Sequence, residues 1–299
     1  MAASPPYASA FPRHLAHFTH LRPRSAMNRN DRIFAHIDRR GLGLEIGPSY
    51  NPIAPKRAGF NVETVDHMDQ AGLVAKYTGH GVDTSAIEKV DYVWQGQPLS
   101  ELIGQEGRYD WIIASHVIEH VPDLVGFLGE CRKLLKPTGT LSLAIPDKRY
   151  CFDYFRPLSS TGDALQAHLE KRSRHPAGWV FDYFSSASAL DGAITWVAGT
   201  RGDVRHLHSL EEARNFFQLA QQTDAPYIDI HAWRFTPSSF RLIVHELQQL
   251  DLIDLAESCF FDSVGCEFYV SLKPGPAASQ VDRRSLARQI QKELALAAI

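Results

Sequence analysis

The chain predicts an α/β fold built on a largely parallel, doubly wound sheet. Three observations predict it. Short apolar runs alternate with helical patterns from residue 41 to residue 145. The run Trp111-Ile112-Ile113-Ala114 is apolar at every position, as in a strand covered on both faces. Asp66 stands about 20 residues beyond a glycine turn at Gly47, the spacing that sets a carboxylate on a nucleotide ribose.

Composition narrows the class. The 299 residues suffice for one large α/β domain or two modest ones, and 44% apolar residues can bury a sizeable core. A net charge of −3 gives no electrostatic reason to bind nucleic acid. Cys131, Cys151, Cys259 and Cys266 lack C-x-x-C spacing, which fits reduced thiols rather than a disulfide frame or a zinc site. No apolar run is long enough to span a bilayer, and the N-terminus has no secretory h-region, so a cytoplasmic protein is expected.

Residues 1–26 are rich in Pro, Ala, Ser, His and Arg, with no acid before Asp31, and read as a mobile tail. An organelle transit peptide, or a true start at Met27, would explain the same composition. Residues 28–40 read as a short helix. Leu44-Glu45-Ile46 end the first strand, Gly47-Pro48-Ser49 turn, a helix follows, and Val62–Val65 form the second strand with Asp66 at its tip. Residues 67–77 are a helix or loop. The third and fourth strands cover 91–94 and 109–115. Residues 123–135 are amphipathic, with Leu124, Phe127, Leu128, Cys131, Leu134 and Leu135 at helical spacing and a stop at Lys136-Pro137-Thr138-Gly139. Thr140–Ile145 is the fifth strand.

Residues 147–230, aromatic and charged, are too long for a plain connection and read as an inserted substrate cover over the carboxyl ends of the strands. The helix 236–250 has Thr236 as N-cap and Pro237 at its first position. Residues 252–260 and 266–272 are the last two strands, joined by a turn at 262–265. They form an antiparallel edge hairpin that closes a seven-stranded, mostly parallel sheet. The main domain is 27–280, and 281–299 is a terminal helix.

The glycine turn decides between two nucleoside classes. A dinucleotide site wants G-x-G-x-x-G to hold a pyrophosphate on a helix N-terminus, and Gly47 is followed instead by Pro48, Ser49 and Tyr50. Glu45 would repel a phosphate and attract a cation. The pattern hydrophobic-Glu-hydrophobic-Gly-small resembles the first motif of class I S-adenosylmethionine-dependent methyltransferases. The segment D-x-I-x-x-S-x-V-I-E-H-V-x-D from Asp110, followed by L-K-P-x-G-x-L from Leu135, is similar to their fourth and fifth motifs. The resemblance covers roughly residues 40–147 and implies a Rossmann-like class I methyltransferase fold with S-adenosyl-L-methionine as cofactor. Ser49 stands where many relatives have a second glycine, and Gln95 where an acid often meets the adenine. E-I-G-P-S-x-N-P and I-P-D-K-R-Y-x-F-D also resemble a subgroup associated with surface polysaccharides, which implies a sugar or glycan acceptor.

On this resemblance Glu45, Gly47, Pro48 and Ser49 would hold the methionine end of the cofactor, Asp66 the ribose hydroxyls and Gln95 the adenine side. Ser115 and His116, directly after the fourth strand, would lie beside the methyl group at the carboxyl edge, where open α/β sheets bind ligands. His116 and Asp147 are rival general bases. Arg149 and Arg156 could grip an anionic acceptor, and His231 and Trp233 could stack on a sugar. His116 and His120, with Glu119 between, make half of a zinc-like constellation, but H-E-x-x-H is absent and no metal is assigned. The activity expected is O-methylation of a sugar or glycolipid precursor. A methyltransferase of another small molecule comes next, then a fold kept as a binding module. A nicotinamide-dependent oxidoreductase is disfavoured by the missing G-x-G-x-x-G.

Overall fold

The computed structural model describes residues 27–276 and 282–296, so the tail expected over 1–26 lies outside the described residues. Seven strands form the main sheet. In chain order they are β1 (Gly43–Ile46), β2 (Val62–Asp66), β3 (Tyr92–Val93), β4 (Tyr109–Ser115), β5 (Leu135–Pro146), β8 (Leu255–Val264) and β9 (Glu267–Pro274), and β6 and β7 lie in the insert. The sheet order is β3-β2-β1-β4-β5-β9-β8. The first five strands are parallel, and β9 runs antiparallel to both β5 and β8. This is the expected seven-stranded, Rossmann-like arrangement with an antiparallel last strand.

Alternation along β4 explains the two layers of core. Ile112 and Ala114 face one cluster, with Leu44, Ile46, Leu141, Leu143 and Phe240; Trp111 and Ile113 face another, with Ile33, Phe34, Val62 and Tyr269. The first is covered by α4 (Leu124–Leu134), which buries Leu124, Phe127, Leu128, Cys131 and Leu134, and by α8 (Pro237–Gln249). The second is covered by α1 (Arg29–Ile33), capped by Asn28 in a reciprocal box with Asp31. Gly43 makes room for this packing, because a Cβ there would lie 2.1 Å from the Trp111 indole.

Three local expectations need correction. The helix expected between β1 and β2 is a single 3-10 turn, Lys56–Ala58. Pro48, Pro52 and Pro55 remove donors from that stretch and break any helix. The stop after α4 is not a loop, since β5 begins at Leu135 and pairs with Tyr109 before a register shift. A short helix not expected from the sequence, α3 (Leu99–Ile103), follows β3, and α2 (Gln70–Tyr77) settles the ambiguous segment after Asp66 as helix.

The insert contains α5 (Thr161–Leu169), α6 (Ala177–Ser186), the hairpin β6 (Ser188–Leu190) and β7 (Val204–His206), and α7 (Leu210–Ala220). Its own small core joins Phe152, Val180, Tyr183 and Ile230, with Phe184 stacked on Phe216 at 3.7 Å. The chain leaves β5 at Asp147 and returns beside it, where Phe235 bridges to Asp147. Finally α9 (Arg283–Leu296) packs against α8. Its buried Glu293 accepts from Ser238 N and Ser238 Oγ in the first turn of α8, where a carboxylate also meets the positive helix end. Among the described residues no helix is long and apolar enough to cross a membrane.

Candidate active site

Strand order reverses between β1 and β4, so the crevice outside their carboxyl ends is the topological switch point. The loops after Ile46 and Ser115 form its walls. Gly47 adopts φ 69°, and a Cβ there would sit 2.8 Å from Val117 Cγ2, so the turn holds only glycine without strain. Ser49 and His116 are also left-handed, with φ 50° and 54°. The close approach of the two loops comes from these conformations.

Asp66 sits at the tip of β2, buried, with Oδ2 accepting from Ser49 N at 2.8 Å and Oδ1 from His67 N at 2.8 Å and His67 Nδ1 at 2.6 Å. It therefore ties the second strand to the glycine turn. A carboxylate offers about four lone-pair sites, so acceptor capacity remains. Glu45 is placed differently from the expectation. It is buried within β1, and its two oxygens accept from Ile53 N at 2.7 Å and Ala54 N at 3.0 Å. Its role in this geometry is to pin the proline-rich loop behind the crevice. Burial raises its pKa to about 7 against the pull of those two backbone donors. Pro48 is half-buried in the turn, and Gln95 is exposed just past β3, its N–H bonded to Gln97 Oε1 at 2.8 Å.

Ser115 and His116 reach the carboxyl edge as expected, and the structure gives them partners invisible in the sequence. His116 Nε2 lies 2.8 Å from Glu267 Oε2 on β9. Arg29 on α1 donates to Glu267 through Nε at 2.6 Å and Nη2 at 3.0 Å, and to Ser115 Oγ at 2.6 Å. Tyr269 donates to Glu267 at 2.9 Å. Burial opposes the charge on Glu267, yet His116 and Arg29 hold its pKa at about 2. Because 151 residues separate His116 from Glu267, no local signal could have found the pair.

The candidate acceptor residues and the rival base are corrected by burial. Asp147 is fully buried and held by Arg149 through Nη2 at 2.6 Å and by Ser263 Oγ at 2.6 Å, so it has no path to an acceptor proton. Arg149 is spent on that pair. Arg156 is 2% exposed and donates to Asp153 Oδ1 and His231 O. Trp233 is 1% exposed and donates its indole N–H to Val121 O at 2.6 Å, which makes it core rather than a sugar platform. His231 is buried against Asp153. These residues stabilise the junction between the insert and the sheet.

One cluster stands out beyond them. Glu119 is wholly buried, and neither carboxylate oxygen has a hydrogen-bond partner. Its Oε1 lies 3.6 Å from His116 Nδ1, 3.8 Å from His120 Nε2 and 3.8 Å from His231 Nε2. The sequence reading met Glu119 only between two histidines and had no means to bring in His231.

The crevice lacks the donor-rich glycine loop that a pyrophosphate needs, and Asp66 at its edge keeps acceptor capacity for the hydroxyls of a nucleoside. The comparisons agree in class. A family described as "Methyltransferase domain" matches residues 18–246. The chain belongs to that methyltransferase-domain family. Relatives include the ubiquinone biosynthesis O-methyltransferase of Xanthomonas oryzae pv. oryzae, 30% identical over 129 residues, covering 41% of this chain and 52% of that protein. The enzyme of the same description from Xanthomonas campestris pv. campestris is 33% identical over 92 residues, covering 30% and 36%. The chain thus spans about half the length, or less, of the curated relatives it matches. Among solved structures, the CcbJ methyltransferase from Streptomyces caelestis is 13% identical, with 82% of this chain and 87% of that one covered at a TM-score of 0.43.

Proposed function

We propose that this protein transfers a methyl group from S-adenosyl-L-methionine to a hydroxyl of a small acceptor, with a sugar or glycan precursor as the first candidate. The observation that carries the reading is the crevice at the switch point, walled by the left-handed turns at Gly47 and His116 with the Asp66 carboxylate at its edge. When bound, S-adenosyl-L-methionine supplies a methyl group on a sulfonium, activated for in-line displacement. The protein's share is positioning, desolvation and a base, for which alignment alone supplies on the order of 7–11 kcal/mol.

The roles follow from placement. Asp66 accepts from the ribose hydroxyls while keeping its bond to Ser49 N. The main chain at Gly47, Pro48 and Ser49 lies against the methionine end, and Gln95 borders the adenine. His116 takes the acceptor proton as the new C–O bond forms and the C–S bond breaks. Glu267 orients its ring from the other side. The sugar reading is supported by the subgroup-like motifs E-I-G-P-S-x-N-P and I-P-D-K-R-Y-x-F-D. The ubiquinone-pathway names of the relatives support oxygen as the atom methylated and favour, as a second reading, a phenolic acceptor.

Two measurements test this. Calorimetry with S-adenosylhomocysteine is expected to give saturable binding that Asp66→Ala weakens about 10–100-fold, the loss of charge-assisted hydrogen bonds. Labelled-methyl transfer is then screened against nucleotide sugars, glycans, lipid-linked precursors and catechol-like phenols, with product masses recorded. No binding of donor or demethylated product would leave a methyltransferase fold kept as a binding module. Transfer to phenols alone would replace the sugar reading.

A further inference from the structure

The cluster around Glu119 has the architecture of a cation site. His120 donates through Nδ1 to Asp229 Oδ1 at 2.9 Å, and His231 through Nδ1 to Asp153 Oδ2 at 2.5 Å. A carboxylate can only accept, so each Nδ1 carries its hydrogen and each Nε2 presents a lone pair when the ring is neutral. Both Nε2 atoms point to the same place, at 3.8 Å from Glu119 Oε1, and all three atoms lie within 4.8 Å of one another. Carboxylate-backed imidazoles facing an anionic oxygen are the outer and inner layers of a metal site.

Burial sharpens the point. A carboxyl group sealed from water and left without a single hydrogen-bond partner is costly, and folding does not ordinarily tolerate it. Here it is held deliberately. Ala232 N and Trp233 N donate to the Glu119 carbonyl at 2.7 and 3.0 Å, which pins the segment carrying His231 onto the turn carrying Glu119 and His120. Two ligands on one tetrahedral ion sit about 3.3–3.6 Å apart, so each carboxylate-to-imidazole separation of 3.8 Å lies within a few tenths of an ångström of that spacing.

We propose that Glu119, His120 and His231 bind one divalent transition ion of the zinc type, with the ring of His120, about one third exposed, on the open side and a fourth position beside His116. Two imidazoles select nitrogen-preferring ions over magnesium or calcium. The site lies one turn from Ser115 and His116, so its fourth position faces the carboxyl edge of β4.

The test uses the full chain, stripped with a chelator, dialysed, and titrated with cobalt(II) or zinc(II) chloride at fixed neutral pH. One equivalent of cobalt is expected, with a visible d–d band that zinc displaces. Two paramagnetically shifted imidazole N–H proton resonances are also expected, one for each carboxylate-bonded Nδ1. Glu119→Gln should weaken cobalt binding at least about tenfold and Asp153→Asn about 10–100-fold, while His168→Ala, outside the cluster, keeps wild-type affinity. Failure of folded wild type to take up an equivalent of cobalt overturns the proposal. So does unchanged uptake by a folded Glu119→Gln/His231→Ala double variant. If the variants do not fold, the wild-type spectrum decides, and fewer than two shifted N–H resonances rejects the site. None of these readouts depends on methyl transfer, so their failure leaves the proposed activity to its own test.

Discussion

Ser49 and His116 hold left-handed backbone without being glycine. Among the described residues Lys171, Asp191 and Asp251 share that conformation, but Lys171 and Asp251 follow the ends of α5 and α8, where a left-handed residue closes a helix, and Asp191 turns the β6–β7 connection. Ser49 is the first inner residue of a tight turn closed by Asn51 N on Pro48 O at 3.0 Å, and His116 directly follows β4, so the two sit on the two loops of the switch point. Strain of this kind costs roughly 1–3 kcal/mol per residue and persists where surrounding contacts over-determine it. Here those contacts are Ser49 N to Asp66 and His116 N to Ala144 O. Gly47, between them, is the most sensitive point. Gly47→Ala adds about 1–2 kcal/mol of left-handed strain and a contact with Val117. We expect a lowered melting temperature and weaker S-adenosylhomocysteine binding, measured by thermal denaturation and calorimetry. Wild-type affinity in the variant would show that the turn does not approach the ligand.

The segment joining β5 to the insert looks like a charged surface loop in sequence and behaves as core. Asp147, Lys148, Arg149, Asp153 and Arg156 are all buried; the Lys148 ammonium bonds locally to Tyr154 O, while the other four also reach distant elements through Ser263, Glu293 and His231. Arg149 also donates to the Glu293 carbonyl, and Glu293 caps α8, so β5, α8 and α9 meet at one buried ion pair. Removing one member of such a pair strands the other. Arg149→Ala is expected to cost about 3–5 kcal/mol in urea denaturation, with little change in KM for the protein that remains folded. A selective loss of acceptor affinity at unchanged stability would restore Arg149 to the acceptor site.

Across the molecule, Glu267 connects three parts that share no sequence neighbourhood: α1 through Arg29, the end of β4 through Ser115 and His116, and β9 itself. Its carboxyl is held at about 2, below the ordinary 4.5, so the stabilisation it gives is present above pH 4.5 and lost progressively as pH falls toward 2. Glu267→Gln is therefore expected to flatten the acid limb of the stability curve between those values, measured as urea midpoint against pH. An unchanged slope in that window would mean that the tie contributes nothing to the fold. Glu45 acts with the opposite sign. Raised to about 7, it favours the folded state most below pH 4.5, and that contribution is lost as pH rises through 7.

The sequence by itself determined the sheet, the switch-point loops and the class. Continuous apolar runs such as 111–114, the amphipathic stripe of α4 and the interval from Gly47 to Asp66 are periodicities and spacings, and these are local quantities. The stretch from Pro48 to Pro55 departs from the helix expected there because its three prolines remove backbone donors, which the alternation of strands and helices along the chain does not register. Only the tertiary structure decided which charges are buried and what they meet. Arg149 on the Glu293 carbonyl, Glu267 on His116 and His231 beside Glu119 are pairings between elements brought together by the sheet order and the return of the insert to Phe235. The burial of a side chain depends on every layer packed over it, and no window of sequence contains that information.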